Sequence, residues 1–187
     1  MLSAADSIGI VLAAGAGTRY GYPKALAENG AWVCKAVAAL ESCASVLVVL
    51  GATGPAPLPL GLPASARQIW APDWGRGVSA ALRSGLAAAW PTGAEYAVIM
   101  PVDTPDVGAD VVDRVLTVGR TAPSGLVRAV FDGAPGHPVV AARAHWLPMS
   151  AVAAGDRGGR RYLNGRADTA LIECGDLATG FDHDHRV

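Results

Sequence analysis

Gly15, Gly17 and Gly21 share a ten-residue segment with Arg19 and Lys24. These residue types can hold a polyanion. Glycine lets the main chain turn freely and lets a ligand approach it closely. Successive inward N–H groups form an anion-binding concavity, and two cations on the same loop add the charge that a polyphosphate attracts. Just upstream, Ile8 to Ala13 reads as a hydrophobic strand. The run Leu12, Ala13, Ala14, Gly15, Ala16, Gly17, Thr18 and Arg19, continuing to Lys24, is therefore a candidate nucleoside-triphosphate loop. Of 15 basic residues only Lys24 and Lys35 are lysines. A lysine kept inside the loop suggests that a compact point charge is wanted there.

Two better-known glycine loops do not fit. The dinucleotide fingerprint places its third glycine three residues after the second, but here it comes one residue late, at Gly21, and Pro23-Lys24 follows where a helix should already run. The P-loop follows its last glycine directly with Lys and Ser or Thr, whereas here two residues intervene and Ala25 follows Lys24. The bland alternative is an ordinary glycine-rich turn after a strand.

A second constellation lies where the apolar run Ala97 to Met100 meets Pro101-Val102-Asp103-Thr104-Pro105-Asp106. Ligands of open α/β sheets sit beyond the carboxyl ends of strands, and an Asp there can hold Mg²⁺. Asp103 could instead cap the helix near Gly108 or support the Pro105 turn, and Asp106 reads as a turn or cap residue. A third is Phe181-Asp182-His183-Asp184-His185, where Asp182 and Asp184 share one side if the segment is extended. They could complete a metal site with Asp103, the two His could suggest a transition metal, or the segment could be a solvated tail. A fourth is His137, in the glycine-flanked turn Asp132 to Gly136 and its exit, either a substrate contact or a structural residue. A fifth, Gly155-Asp156 to Arg160, offers a capping Asp and, in Arg160, a cation that could reach a second phosphate.

These residues need a scaffold, and the chain alternates strands with helices. Strands are expected at Ile8–Ala13, Ser45–Leu50, Arg67–Ala71, Tyr96–Val102, Leu126–Phe131, Pro138–Ala142 and Thr169–Glu173, with Tyr96–Val102 central. Helices are expected at Ala31–Ser42, Gly77–Ala89, Gly108–Gly119, from about Ala144 to Val152, and near Arg160. Gly51–Pro63 reads as a loop. The alternation predicts an α/β fold, a mainly parallel sheet with helices on both faces. Residues 1–187 are expected to form one domain, without repeats or linker.

With 51% hydrophobic residues the chain is not disordered, and its net charge of −1 gives no general attraction to nucleic acid or anionic membrane. No apolar run approaches the roughly 20 residues of a membrane span. The N-terminus shows no basic region before its apolar stretch, so no signal peptide is expected. Cys34, Cys43 and Cys174 show no metal spacing and read as reduced thiols of a cytoplasmic protein.

Taken in order, the motifs resemble the molybdenum-cofactor nucleotidyltransferases, the MobA/MocA-like group. The resemblance runs from the glycine loop through Trp74 to Leu86, Pro101 to Pro105, Gly136-His137-Pro138 and Gly155 to Arg160, ending at Phe181 to Asp184. Ala13-Ala14-Gly15 leans to its cytidylyltransferase branch. Ala81-Leu82 departs from the branch's Ser-Leu, with Ser79 the nearest hydroxyl, and His185-Arg186-Val187 departs from its usual ending.

The resemblance implies a GT-A-type, Rossmann-like three-layer sandwich and transfer of a nucleoside monophosphate, with pyrophosphate released. The donor would be CTP or GTP, the acceptor a small phosphorylated molecule such as molybdopterin, and a molybdoenzyme or its chaperone a possible partner. Residues 12–19, Lys24, Gly77 and Ser79 would bind the nucleotide. Arg19 and Lys24 would neutralise the β- and γ-phosphates, Asp103 with Asp182 or Asp184 would hold Mg²⁺, and His137 and Arg160 would face the acceptor. Two rivals are an NAD(P)H-dependent reductase of the same wider group and a non-catalytic nucleotide-binding protein.

Overall fold

The computed structural model describes residues 6–185. Residues 1–5, the start of the segment read for a signal peptide, and residues 186–187, in the departing C-terminal motif, lie outside the described residues.

Seven strands form one sheet in the order β3-β2-β1-β4-β6-β5-β7. They are β1 (Ser7–Ala13), β2 (Ser45–Leu50), β3 (Ala66–Trp70), β4 (Tyr96–Pro101), β5 (Leu126–Phe131), β6 (Ala134–Ala142) and β7 (Ala170–Glu173). Strand β6 pairs antiparallel with both β4 and β5, and every other pairing is parallel. The expected mainly parallel sheet is observed, with β4 in the middle.

Helices α1 (Ala31–Ala39) and α3 (Ala109–Thr121) cover one face; α2 (Val78–Ala89), α4 (Trp146–Val152) and α5 (Arg160–Asn164) contribute to the other. The central strands are apolar at successive positions because both faces are covered. In β4, Val98 and Met100 join the core under α1 and α3, while Ala97 and Ile99 join the core under α2 and α4. Each fully buried Val, Leu or Ile contributes about 1.5–3 kcal/mol, so this double core anchors the strand ends from which the loops depart.

Helix ends follow local chemistry. In α3, Asp110 lies in the first turn and Arg120 in the last, each suited to the helix dipole. Arg120 also pairs with Asp6 at 2.5 Å, tying α3 to the start of β1. Helix α2 passes into the turn Trp90–Thr92, where Pro91 prevents its regular continuation. Among the described residues, no helix is long and apolar enough to cross a membrane. All three cysteines are free, and burial pushes the Cys43 thiol up to about 11, which leaves it unreactive.

The structure corrects two local expectations. The turn between β5 and β6 is only Asp132-Gly133, at φ 49° and 78°, the two-residue left-handed turn that suits hairpin twist. His137 therefore lies within strand β6 and not at the exit of a glycine-flanked turn. Helix α1 stops at Ala39, short of the expected Ser42.

Candidate active site

Strands β1 and β4 are parallel neighbours, with Leu12 opposite Pro101 in register. The glycine loop and the Asp103 loop consequently leave the same sheet end side by side. Val102 N donates to Leu12 O at 3.2 Å, holding the two exits together. Within the glycine loop, Gly21 N donates to Gly17 O at 2.7 Å. Gly17 sits at φ +63°, and a Cβ there would overlap the Tyr22 carbonyl; only glycine makes this turn without displacing the chain. Around Gly15, by contrast, nothing lies within 4 Å of an added Cβ. That open side faces the cleft.

Two adjoining cavities of about 320 and 340 Å³ open over this loop. The first is chiefly apolar, between Leu12, Ala14, Trp74, Val78 and Ala81. The second carries the charges: Arg19, Lys24, Asp103 and Asp184. Residues 12–19, Lys24 and Gly77 all line one or both. Ser79 does not; it is buried on α2 at 1% exposure.

Lys24 is the hub of the charged cavity. Its Nζ donates to Asp103 Oδ2 at 2.7 Å and to Asp184 Oδ1 at 3.0 Å. Arg19 Nη1 reaches the other Asp184 oxygen at 2.8 Å. Burial alone would lower the Lys24 pKa, but the two carboxylates outweigh it and raise the value. Asp184 is held below its ordinary value, first by its hydrogen bond from Lys24.

The C-terminal segment is folded onto the site. His183 N donates to Asp103 O at 3.0 Å. Upstream, Asp106 Oδ2 accepts from Thr179 N at 2.7 Å, Thr179 Oγ1 at 2.5 Å and Gly180 N at 3.1 Å. Asp106, read from sequence as a turn or cap residue, is instead the clasp of this segment. The His183 ring packs against Trp32 and Phe181, each with centroids 5.4 Å apart, and so faces aromatic neighbours.

A hard divalent cation fits the oxygen donors here. Asp103 Oδ1 is buried without a hydrogen-bond partner. Desolvation, then the neighbouring charges of Asp103 and Asp184, push the Asp182 carboxyl above its ordinary value. Both observations mark negative charge that lacks a full complement of partners. Among the described residues no three His, Cys, Asp or Glu side chains form a ready-made metal group; Lys24 itself bridges Asp103 and Asp184.

Beyond Asp182 lies a cationic neighbourhood. The charges of Arg128, from β5, and of Arg160 both act on His137 and on Asp182. Desolvation, then the positive charges of Arg128 and Arg160, push the His137 imidazole down to about 4, so it is neutral at pH 7. Arg128 is 6% exposed. Its guanidinium donates to the Gly136 and Pro135 carbonyls at 3.0 and 3.3 Å and has no ion-pair partner among the described residues. Sequence reasoning missed Arg128 because one Arg in a short apolar strand resembles an edge residue. It also missed Trp74 and the position of Asp156 over the cleft; the aromatic ahead of the glycine-rich start of α2 was the one available signal.

Comparison with known proteins agrees with this fold. A family model described as MobA-like NTP transferase domain matches residues 9–170. No curated protein sequence matches the chain. Among solved structures, a homologue of Mycobacterium tuberculosis Rv0371c from Mycobacterium sp. strain JC1 is 26% identical, with TM-score 0.74, over 98% of this chain and 92% of that one. Rv0371c of M. tuberculosis H37Rv in complex with manganese is 24% identical, with TM-score 0.66, over 90% and 88%. The 2-C-methyl-D-erythritol 4-phosphate cytidylyltransferase of Thermus thermophilus is 21% identical, with TM-score 0.66, over 93% and 90%. The last two likenesses are of fold. With its family model matched across both strand-end loops, the chain belongs to the MobA-like NTP transferase family.

Proposed function

We propose that the chain is a single-domain nucleotidyltransferase that moves a nucleoside monophosphate from CTP or GTP to a small phosphorylated acceptor of the molybdopterin type. The observation that carries this reading is the convergence of Arg19 and Lys24, from the glycine loop, on Asp103 and Asp184 at the neighbouring strand end. An oxygen of the acceptor phosphate attacks the α-phosphorus, the bond to the β-phosphate oxygen breaks, and pyrophosphate leaves with that electron pair. The glycine-loop amides and the two cations hold the β- and γ-phosphates and stabilise the charge gathering on the leaving group. The apolar cavity takes the base. His137, Arg160 and Arg128 face the acceptor and orient its phosphate for in-line attack.

Asp103 and Asp182, with Asp184 once Lys24 turns to phosphate, would hold the divalent ion. Bound there, it would supply charge neutralisation at phosphate oxygens. That a solved relative, Rv0371c, is in complex with manganese supports a divalent metal in this chain too; Mg²⁺ is the proposed ion. A molybdoenzyme or its chaperone is the proposed recipient of the product, in the cytoplasm.

Pyrophosphate release is measured with each of the four nucleoside triphosphates, Mg²⁺ or Mn²⁺, and a molybdopterin acceptor. Release with CTP or GTP that depends on acceptor and metal is expected. Oxidation of NADPH without pyrophosphate release would favour the reductase instead. Tight triphosphate binding without turnover would favour a binding protein.

A further inference from the structure

The two cavities share six lining residues: Leu12, Gly15, Ala16, Thr18, Val78 and Asp156. Asp156 is the one ionisable side chain among them, and the one in the apolar cavity. It arrives from the turn Gly155–Arg157, which packs against the start of α2. The approach is close. A methyl group on Gly77 would collide with Asp156 Oδ1 and with Gly155 C at 2.6 Å.

The structure gives this carboxylate no internal task. It has no hydrogen bond or ion pair among the described residues, and α2 has no side-chain cap. It is also a liability, because it shares a cleft with the loop built for phosphates and repels them.

A nucleotide explains the location. With phosphates at Arg19 and Lys24 and the base between Leu12, Trp74 and Val78, the sugar spans the junction where Asp156 stands. An ionised carboxylate is an acceptor only, with two oxygens. The matching group is a vicinal diol, which offers two O–H donors. We infer that Asp156 is a sugar-reading residue that accepts hydrogen bonds from the ribose hydroxyls and so selects ribonucleotides over deoxyribonucleotides. This rests on the nucleotidyl-donor reading and adds the sugar specificity of that site.

Calorimetry with CTP, GTP and their 2′-deoxy forms in Mg²⁺ tests it on the wild type, Asp156→Ala and Asp156→Asn. The wild type should bind each ribonucleotide about 10- to 100-fold more tightly than its 2′-deoxy form, the range for hydrogen bonds to a charged group. Asp156→Ala should bring that ratio close to one, mainly by weakening the ribonucleotide, and Asp156→Asn should give an intermediate ratio. Asp156 is exposed, so the melting temperature should stay constant. An unchanged ratio in Asp156→Ala overturns the inference. So does equal weakening of both sugars, or a change in base ranking with the sugar ratio intact. Binding of triphosphates by the wild type without sugar discrimination overturns the inference alone. Absence of any triphosphate binding overturns the donor reading with it.

Discussion

The glycine-loop side of the cleft and its carboxylate side are built in opposite ways. The glycine loop, Arg19 and Lys24 occupy one contiguous stretch after β1, shaped by internal contacts such as Gly21 to Gly17. The opposing side gathers Asp103 after β4, Arg128 from β5, His137 from β6, Arg160 from α5 and Asp182 and Asp184 from beyond β7. Proximity in sequence builds the first; the order of strands builds the second. The difference teaches that, on the proposed function, phosphate capture would be a local property of this chain, and acceptor and metal chemistry a tertiary one.

The comparison breaks most sharply at Asp103. Asp103→Asn should reduce turnover by about 10²- to 10³-fold, the scale for removing one charge-stabilising group, while triphosphate binding in chelator and the far-UV spectrum stay close to wild type. Turnover near wild type would show that the tertiary side does not hold the chemistry. Lys24→Ala strikes the local side. It should weaken triphosphate binding about 10- to 100-fold by calorimetry, and unchanged affinity would remove Lys24 from phosphate contact.

Arg128→Met separates function from stability. Arg128 is a buried charge without an ion pair among the described residues, so an apolar side chain of similar size removes a desolvation cost and offsets the loss of its two carbonyl hydrogen bonds. The variant should therefore keep or raise its melting temperature and keep donor affinity, while acceptor KM rises about tenfold. A fall in stability with acceptor kinetics untouched would make Arg128 a brace for the β6 carbonyls.

The smallest effect is expected at the clasp. Burial alone would raise the Asp106 pKa, but the hydrogen bonds from Thr179 and Gly180 outweigh it and hold the value low. A depressed carboxyl contributes stability that is fully present above its unfolded pKa of about 3.9 and lost as pH falls through the lower native value. Acidification below that pH should loosen the C-terminal segment, changing Trp32 fluorescence as His183 leaves its ring. Asp106→Ala should show the loosened signal already at neutral pH, at a cost of about 1 kcal/mol. A signal that is independent of both pH and Asp106 would mean the segment is anchored elsewhere.

Legibility in the sequence follows the same division. Apolar runs and glycine spacing announced β1, β2, β4 and the glycine loop, because each is decided within a dozen residues. The insertion of β6 between β4 and β5 was not legible, since side-chain alternation does not name a strand's neighbours. The sequence reading lengthened the Asp132-Gly133 turn because Pro135 and Gly136 resemble turn residues, yet both lie in strand β6. Ser79 looked available beside Gly77, but the helical period turned it into the core. Asp156 looked like a cap; the docking of its loop on Gly77 set its place over the cleft.

The ion pairs of Lys24 and Arg19 with Asp103 and Asp184 carry a kinetic consequence. Before any nucleotide arrives, the two cations are already neutralised by the protein's own carboxylates. On a chain of net charge −1, such a cleft projects little positive field into solvent. Long-range steering, which speeds encounter at low salt and fades with ionic strength, then has little to act on. Encounter rates with a triphosphate should change little with added salt, and affinity should be expressed in how slowly the nucleotide leaves once the pairs have exchanged partners.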